Sequence, residues 1–539
     1  MRCVRLRWIW GRGLSAPDAS APAGEPVPGK AGFASAAASG SAWTTLQTVA
    51  NKFVTVFAML VLARLLTPAE FGLASLASSI GSFAFVLAPF VMGDVLIAQS
   101  KRFDELSGSA NAIAWAAGIA LCSLLAAAAI PIEHITGKSG LALLVVIAAF
   151  RPLFEAALMA PNTRRRIDLA YRRTAFVDGG VILFATILSV VMALLGAGPM
   201  ALILPPIGTI ALRAAFYWRD TRGRISTKVH REFLAPLARQ FVVAGFGQYL
   251  NNILLILEVL VLGFFASDAE IGLFGLAFQL AMQVNVVIAV QLGNVLQPIF
   301  GFIRNDPERQ IGGFIRATRL LSSIAVPLSL MQAALAVPMF SLLFEAKWTG
   351  SIAVFAVLSV GQAFVFIAAP SIALLKAQGR FRVYFIWQLT QLVTAILAFV
   401  FAVNYGSAFA LKLASAVGLP VDPNAGKALA LSMASALVWA ASCPIAVWLG
   451  GRPVRLSVRR VLLVFFEPWI YTVPVCVGLI FAWLLLRSTV SPRLADVGAL
   501  VLLGPIAVAI AIGGSVWMRA DTRADFRSVI GRFTKRTKG

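Results

Sequence analysis

LVLARLLTPAEFGLASLA, residues 60–77, returns two hundred positions later as LVLGFFASDAEIGLFGLA, residues 260–277. Leu60, Val61, Leu62, Ala69, Glu70, Gly72, Leu73, Leu76 and Ala77 recur without a gap as Leu260, Val261, Leu262, Ala269, Glu270, Gly272, Leu273, Leu276 and Ala277. The register runs back to Asn51 and Asn251, and forward to Gly93, Val95 and Leu96 against Gly293, Val295 and Leu296. Apolar helices of any origin match at Leu and Val; agreement at Asn, Glu and Gly in one register marks an internal repeat.

Outward from the repeat, apolar stretches fill the chain. Hydrophobic residues are 59% of the sequence and charged residues 13%, against about 25% charged in a soluble domain. That is too little polar surface to cover a protein of this length in water. The stretches fall at 42–64, 71–97, 108–132, 139–161, 174–195, 198–218, 239–266, 271–303, 317–344, 350–375, 383–404, 427–449, 461–486 and 494–517. Each is on the order of 20 residues, enough to cross ~30 Å of hydrocarbon, so the expectation is about fourteen spans. Each span must be helical, because in lipid only a helix satisfies its own backbone within one segment. Residues 405–426, with Pro420 and Pro423, are expected to form an external loop with a surface-lying helix.

The expected fold is an all-α polytopic bundle. A first six-helix unit spans 42–218, a basic linker 219–238, and a second six-helix unit 239–449. Two additional helices occupy 450–517, between a disordered tail at 1–41 and a basic tail at 518–539. Six spans return the chain to its starting side, so the two units share one orientation. They should be related by a pseudo-two-fold along the membrane normal, with a cavity between them.

The formal charge of +23 raises the question of a nucleic-acid partner. Its distribution argues against one. The basic residues sit in short segments between spans, among them Arg164–Arg166 with Arg172 and Arg173, Arg219–Arg239, Arg452–Arg460 and Arg519–Lys538. On the opposite side lie Arg64, Lys138, Lys347, Lys412, Lys427, Arg487 and Arg493. The positive-inside rule then puts both termini in the cytoplasm. The apolar patch Trp8-Ile9-Trp10 is too short for the core of a signal peptide. Cys3, Cys122, Cys443 and Cys476 show no metal-ligand spacing, and His134 and His230 fall in loops on opposite sides. No metal site or nucleophile triad is expected, so the chain does not read as an enzyme.

The run LARLLTPAEFGLASLA at 62–77 resembles the first hairpin of Wzx-type flippases of polysaccharides and lipid-linked oligosaccharides, in the multidrug/oligosaccharidyl-lipid/polysaccharide exporter superfamily. DVLIAQ at 94–99, RRRIDLAYRR at 164–173 and LLGAGPMALIL at 194–204 fit the same pattern, and the two extra C-terminal spans fit its fourteen-helix members. The resemblance implies transfer of undecaprenyl-pyrophosphate-linked repeat units across a bacterial inner membrane for exopolysaccharide, capsule or O-antigen assembly. It implies no cofactor, leaves H⁺ or Na⁺ as a coupling ion, and allows other glycan-assembly membrane proteins as partners. Two alternatives are a cation-coupled drug exporter of the same superfamily, with deep carboxylates and an apolar aromatic pocket, and a non-transporting scaffold of glycan assembly.

Polar groups inside the spans are the candidate site. An intramembrane charge costs roughly 2.5–3.5 kcal/mol on insertion scales and so faces protein or water. Lys52 and Asn51 on the first span, with Gln248, Asn251, Asn252 and Glu258 on its repeat-mate, are candidates for the lumen; Gln248, Asn251 and Asn252 share one helical face. Gln283, Asn294 and Gln297 on the eighth span would extend it, and Arg213 would meet phosphate if it points inward. The competing reading of these residues is interhelical hydrogen bonding, and for Arg213 a head-group contact. Arg151 with Glu155, four apart on one face, Arg64 with Glu70 beside the first turn, and Asp94 are candidates for ion pairs or gates.

Overall fold

The computed structural model describes residue 47, residues 50–83, 89–168, 171–283, 300, 306–452 and 458–517. The described residues are helical almost throughout. The first half runs α1 (50–65), α2 (Pro68–Phe83), α3 (Pro89–Ala98), α4 (Phe103–Thr136), α5 (Leu141–Ala149), α6 (Arg151–Ile167), α7 (Tyr171–Leu194) and α8 (Met200–Asp220). The second runs α9 (Arg231–Phe265), α10 (268–283), α11 (Pro307–Ala334), α12 (Ala336–Leu343), α13 (Gly350–Ala377), α14 (Phe381–Tyr405), α15 (Ser407–Ala416) and α16 (Gly426–Gly451). The chain continues through α17 (Val458–Thr489), α18 (Pro492–Gly498) and α19 (Gly504–Trp517).

Ten helical segments among the described residues are long and apolar enough to cross a membrane. The other four expected spans fall on α1, α2 with α3, α9 and α10, whose described apolar stretches are shorter. The protein is a multi-pass membrane protein. The expected 405–426 loop contains α15, ten residues long and packed through Ala410 and Ala414. His134, expected in a loop, lies in the last turn of α4, which runs on to Thr136 and is ended by Gly137 in the left-handed region.

The repeat is visible atom by atom where the two first hairpins meet. Thr67 and Glu70 form a capping box: the Thr67 N–H and Oγ1 donate to Glu70 Oε2 at 2.8 and 2.9 Å, and the Glu70 N–H returns to Thr67 Oγ1. Ser267 and Glu270 repeat it bond for bond. Arg64 therefore does not take Glu70, and among the described residues no ion pair joins them. The free Glu270 oxygen accepts the Lys427 N–H at 3.1 Å, at the start of α16, where a helix N-terminus favours negative charge. Glu70 occupies the matching place: a Cβ built on Gly198, just before α8, would lie 3.0 Å from its Oε1.

Between these hairpins α2 and α10 cross at glycines. A Cβ on Gly72 would stand 1.9 Å from the Asp268 carbonyl oxygen, and one on Gly272 would stand 1.8 Å from that of Pro68. Residues 68 and 72 of one helix meet 272 and 268 of the other, the exchange that a two-fold axis between them requires. The third-to-fourth span turns reciprocate as well. Lys138 donates to Ala266 O at 2.9 Å and pairs with Asp268 at 2.6 Å. Lys347 donates to Arg64 O and the Trp348 indole to Ala63 O. Each half thus ties off the end of the other half's first helix, and the hairpin end is sealed.

The opposite, basic end is stapled differently. Arg164, Arg165 and Arg166 pair with Asp104 and Asp168, Asp220, and Asp94 respectively, joining α3, α4, α6 and α8. The linker is strapped to α4: Ser109 Oγ donates to His230 O and accepts the His230 N–H, while Gly108 lets the Lys228 backbone pass. The first turns of α9 follow it, with Leu237 and Phe241 buried against α3, α4 and α6. The last turns of α9 are buried in the central core beside α10 and α16. Helices α17 and α19 close on α11 through Met331, Leu479 and Ala511, and Asp496 fixes α18 by accepting from Ser341 Oγ and the Trp483 indole.

Candidate functional site

Below the sealed hairpins two cavities adjoin. One, of about 570 Å³, lies between α1, α2, α7, α8, α9 and α10; the other, of about 590 Å³, lies within the first half. They share the wall residues Ser78, Leu202, Pro206 and Thr209, so the chamber has a midline compartment and an adjoining first-half compartment.

Its midline walls come from the repeat. On α2, Ser75, Ser78, Ser79 and Ser82 follow the spacing i, i+3, i+4, i+7 that places side chains on one helical face. On α10 the same register gives Gly275, Phe278 and Gln279. Thr55 and Met59 on α1 face Leu255 and Val259 on α9, again two hundred residues apart. One backbone frame thus carries hydroxyls on the first-half wall and mostly apolar groups on the second. Thr186, Ser189 and Thr209 extend the hydroxyl side. Pro206 has no N–H, which leaves the Leu202 carbonyl without its helical donor beside the chamber.

Lys52 on α1 donates to Gln283 on α10 at 2.8 Å. Both stand about 20 Å from the hairpin end at ~1.5 Å rise per residue, and the bond joins the two halves. Gln283 is a neutral partner, and no ion pair reaches Lys52 among the described residues. Among the described residues its positive charge has no counter-ion.

The other deep cations are neutralised. Arg213 Nε and Nη2 grip both oxygens of Asp178 at 2.8 Å, and the Tyr217 hydroxyl adds a third donor at 2.5 Å. Arg151 pairs with Glu155 at 3.0 Å and touches Ser82 Oγ at 3.4 Å. Asp94 pairs with Arg166 at 3.1 Å. Arg151, Glu155, Arg166 and Arg213 all line the first-half cavity, and Glu155 Oε2 has no partner among the described residues.

The remaining candidates separate. Glu258 is 1% exposed and takes a hydrogen bond from Ser435 on α16, inside the second half rather than on the chamber wall. Asn51 and Asn252 are partly buried near the starts of the α1 and α9 apolar stretches, and Gln248 and Asn251 fall on α9. Asn294 and Gln297 lie outside the described residues. The serine face of α2 is the main feature that attention to charges and amides passed over; its signal was the hydroxyl period 75, 78, 79, 82 within an apolar span.

A family model described as "Polysaccharide biosynthesis protein" matches residues 61–353. The chain belongs to this family. It is 24% identical over 379 residues to ExoT of Rhizobium meliloti (strain 1021), a succinoglycan biosynthesis transport protein, covering 68% of this chain and 73% of that one. It is 22% identical over 389 residues to the teichuronic acid biosynthesis protein TuaB of Bacillus subtilis (strain 168), covering 68% and 77%. Among solved structures, the lipid II flippase MurJ in an inward closed conformation superposes with a TM-score of 0.63 at 13% identity, over 88% of this chain and 99% of that one. An inward-facing multidrug resistance transporter, described as of the MATE family of the MOP superfamily, superposes at 0.58 and 12% identity, over 77% and 99%. The fold is the one these solved membrane transporters share.

Proposed function

We propose that the protein moves a lipid-linked oligosaccharide, its anionic link bound near Lys52, across the membrane by alternating access between its two halves. The observation that carries this reading is Lys52, held by a neutral amide and with no counter-ion among the described residues, one helical turn from Thr55 in the wall of the hydroxyl-lined chamber. A cation whose partner is a neutral amide keeps its field for an incoming phosphate, which a salt-bridged arginine does not. The hydroxyls offer donors and acceptors to sugars, and the apolar wall of α9 and α10 accommodates the lipid-proximal part. The names of ExoT, TuaB and MurJ support a substrate of this kind. The basic end faces the cytoplasm by the positive-inside rule, in a bacterial inner membrane, with loading from that side and release through the hairpin end. A cation-coupled drug exporter would use deep carboxylates such as Asp94 and Glu258, and it is less well served: Asp94, like Glu155 and Asp178, already holds an arginine, and Glu258 is buried against Ser435 and lines neither cavity.

The test is a deletion strain complemented with wild type or Lys52→Gln. Lipid-linked oligosaccharide should accumulate in the deletion strain and again with Lys52→Gln at equal membrane abundance, while Lys52→Arg restores surface glycan. Normal surface glycan in the deletion strain, with altered drug sensitivity, would overturn the reading.

A further inference from the structure

On the outer flank of the second half a separate groove of about 340 Å³ runs between α14 and α16. It shares no lining residue with the two central cavities. From Val383 to Thr394 it extends about 16 Å along α14 at ~1.5 Å per residue. Its walls are apolar, with Ile386, Trp387, Val438, Ile445 and Leu449 prominent. Two features distinguish it from ordinary lipid-facing surface. Trp387 is only 8% exposed, and among the described residues its indole N–H has no acceptor. The basic end of the groove is also cationic. Arg380 spends one donor on the Leu449 carbonyl at 2.9 Å, Arg382 is exposed, and Arg452 lies over the Trp448 ring at 5.2 Å. Among the described residues none of the three guanidinium groups meets a carboxylate.

We propose that this groove binds an anionic phospholipid of the surrounding bilayer, one acyl chain lying between α14 and α16 and the phosphate held at the Arg380–Arg452 end. Guanidinium matches phosphate geometry, and basic pockets between helices on the cytoplasmic side select anionic head groups. A neutral lipid leaves the arginines unused, and among the described residues no lining side chain is common to the groove and the central cavities, as a path for a transported lipid would require.

The purified full-length protein in non-ionic detergent, titrated with phosphatidylglycerol, phosphatidylcholine or undecaprenyl phosphate, is weighed by native mass spectrometry. Phosphatidylglycerol should be retained at least ten-fold better than phosphatidylcholine. Ile445→Trp and Ala441→Trp both replace exposed side chains and fill the trough without entering the core; each should abolish that retention. The pair Arg380→Gln and Arg452→Gln should remove the preference alone. Equal retention of the two phospholipids overturns the proposal, as does stronger retention of undecaprenyl phosphate or full retention by both tryptophan variants.

Discussion

Replacing Gly272 by alanine tests the seal at the hairpin end. The new Cβ would lie 1.8 Å from the Pro68 carbonyl oxygen, and real Cβ atoms essentially never come within 3.0 Å of such a neighbour, so α2 and α10 must part by at least 1.2 Å. The obstacle is backbone, which no rotamer change can clear. Forced overpacking of this kind costs ~1–3 kcal/mol, while the helix-propensity gain of ~0.5–1 kcal/mol for alanine over glycine is common to both arrangements and cancels. The net effect falls on the sealed state, because an arrangement with the hairpins apart has no contact to lose. A 1–3 kcal/mol bias shifts a two-state equilibrium roughly 5- to 150-fold. The readout is a single cysteine, Ser189→Cys on the chamber wall in a background without the native cysteines, labelled by a membrane-impermeant maleimide added from the hairpin side. Labelling should accelerate in Gly272→Ala and, by the same reciprocal contact, in Gly72→Ala. The double variant should show less than the summed effect, since one parting relieves both clashes. Gly180→Ala on α7, whose Cβ would meet nothing within 4 Å, is the control. If Gly272→Ala labels no faster than Gly180→Ala, the glycine crossing does not hold the end closed.

Other outcomes follow from the same geometry. Asp178→Asn strips Arg213 of its counter-ion; losing one partner of a buried pair costs ~3–5 kcal/mol, less here because Arg213 is 29% exposed, and Arg213→Gln in the same chain should return part of the lost thermal stability. Lys138→Ala removes two charge-assisted bonds to the other half and should lower stability by ~1.5–3 kcal/mol per bond at most, read as a fall in melting temperature together with faster labelling at position 189. Ser78→Ala and Ser79→Ala should each reduce transport of lipid-linked oligosaccharide into reconstituted vesicles by about 2- to 10-fold, the worth of one neutral hydrogen bond of ~0.5–1.5 kcal/mol. Unchanged rates in both would remove the serine face from substrate contact.

The helical, membrane-spanning character was legible because lipid leaves a sequence few choices: length and apolarity of a segment nearly determine its structure. The gapless register from Leu60 to Ala77 also announced that two hairpins would be alike, but Glu70 beside Arg64 suggested an ion pair where the structure has a capping box with Thr67. What the register did not carry was distance. That Gly72 and Gly272 touch each other's helix depends on where two remote segments dock, and the same holds for Lys138 with Asp268. The site was legible in part. Lys52 and Gln283 were each recognisable as polar groups inside apolar spans, but their pairing is tertiary. Glu258 was equally conspicuous, yet its i, i+3 neighbours do not reveal that Ser435 draws it into the second half. The paired arginines show the same limit: Arg213 could be numbered among the cations, but Asp178, thirty-five residues away, decides how much of its charge remains.

The covalent link between the halves is no slack tether. Helix α9 is 35 residues long, about 52 Å at ~1.5 Å per residue, and is continuous through its whole length. Its opening turns are embedded in one half and its closing turns in the other. Any swing of the halves must therefore be absorbed as curvature in a single rod between Phe241 and Leu254, a stretch that includes Gly245 and Gly247. Elastic strain in that rod would oppose departure from the present arrangement and assist the return, so the stiffness of one helix becomes a term in the cycling rate, separate from anything the substrate contributes.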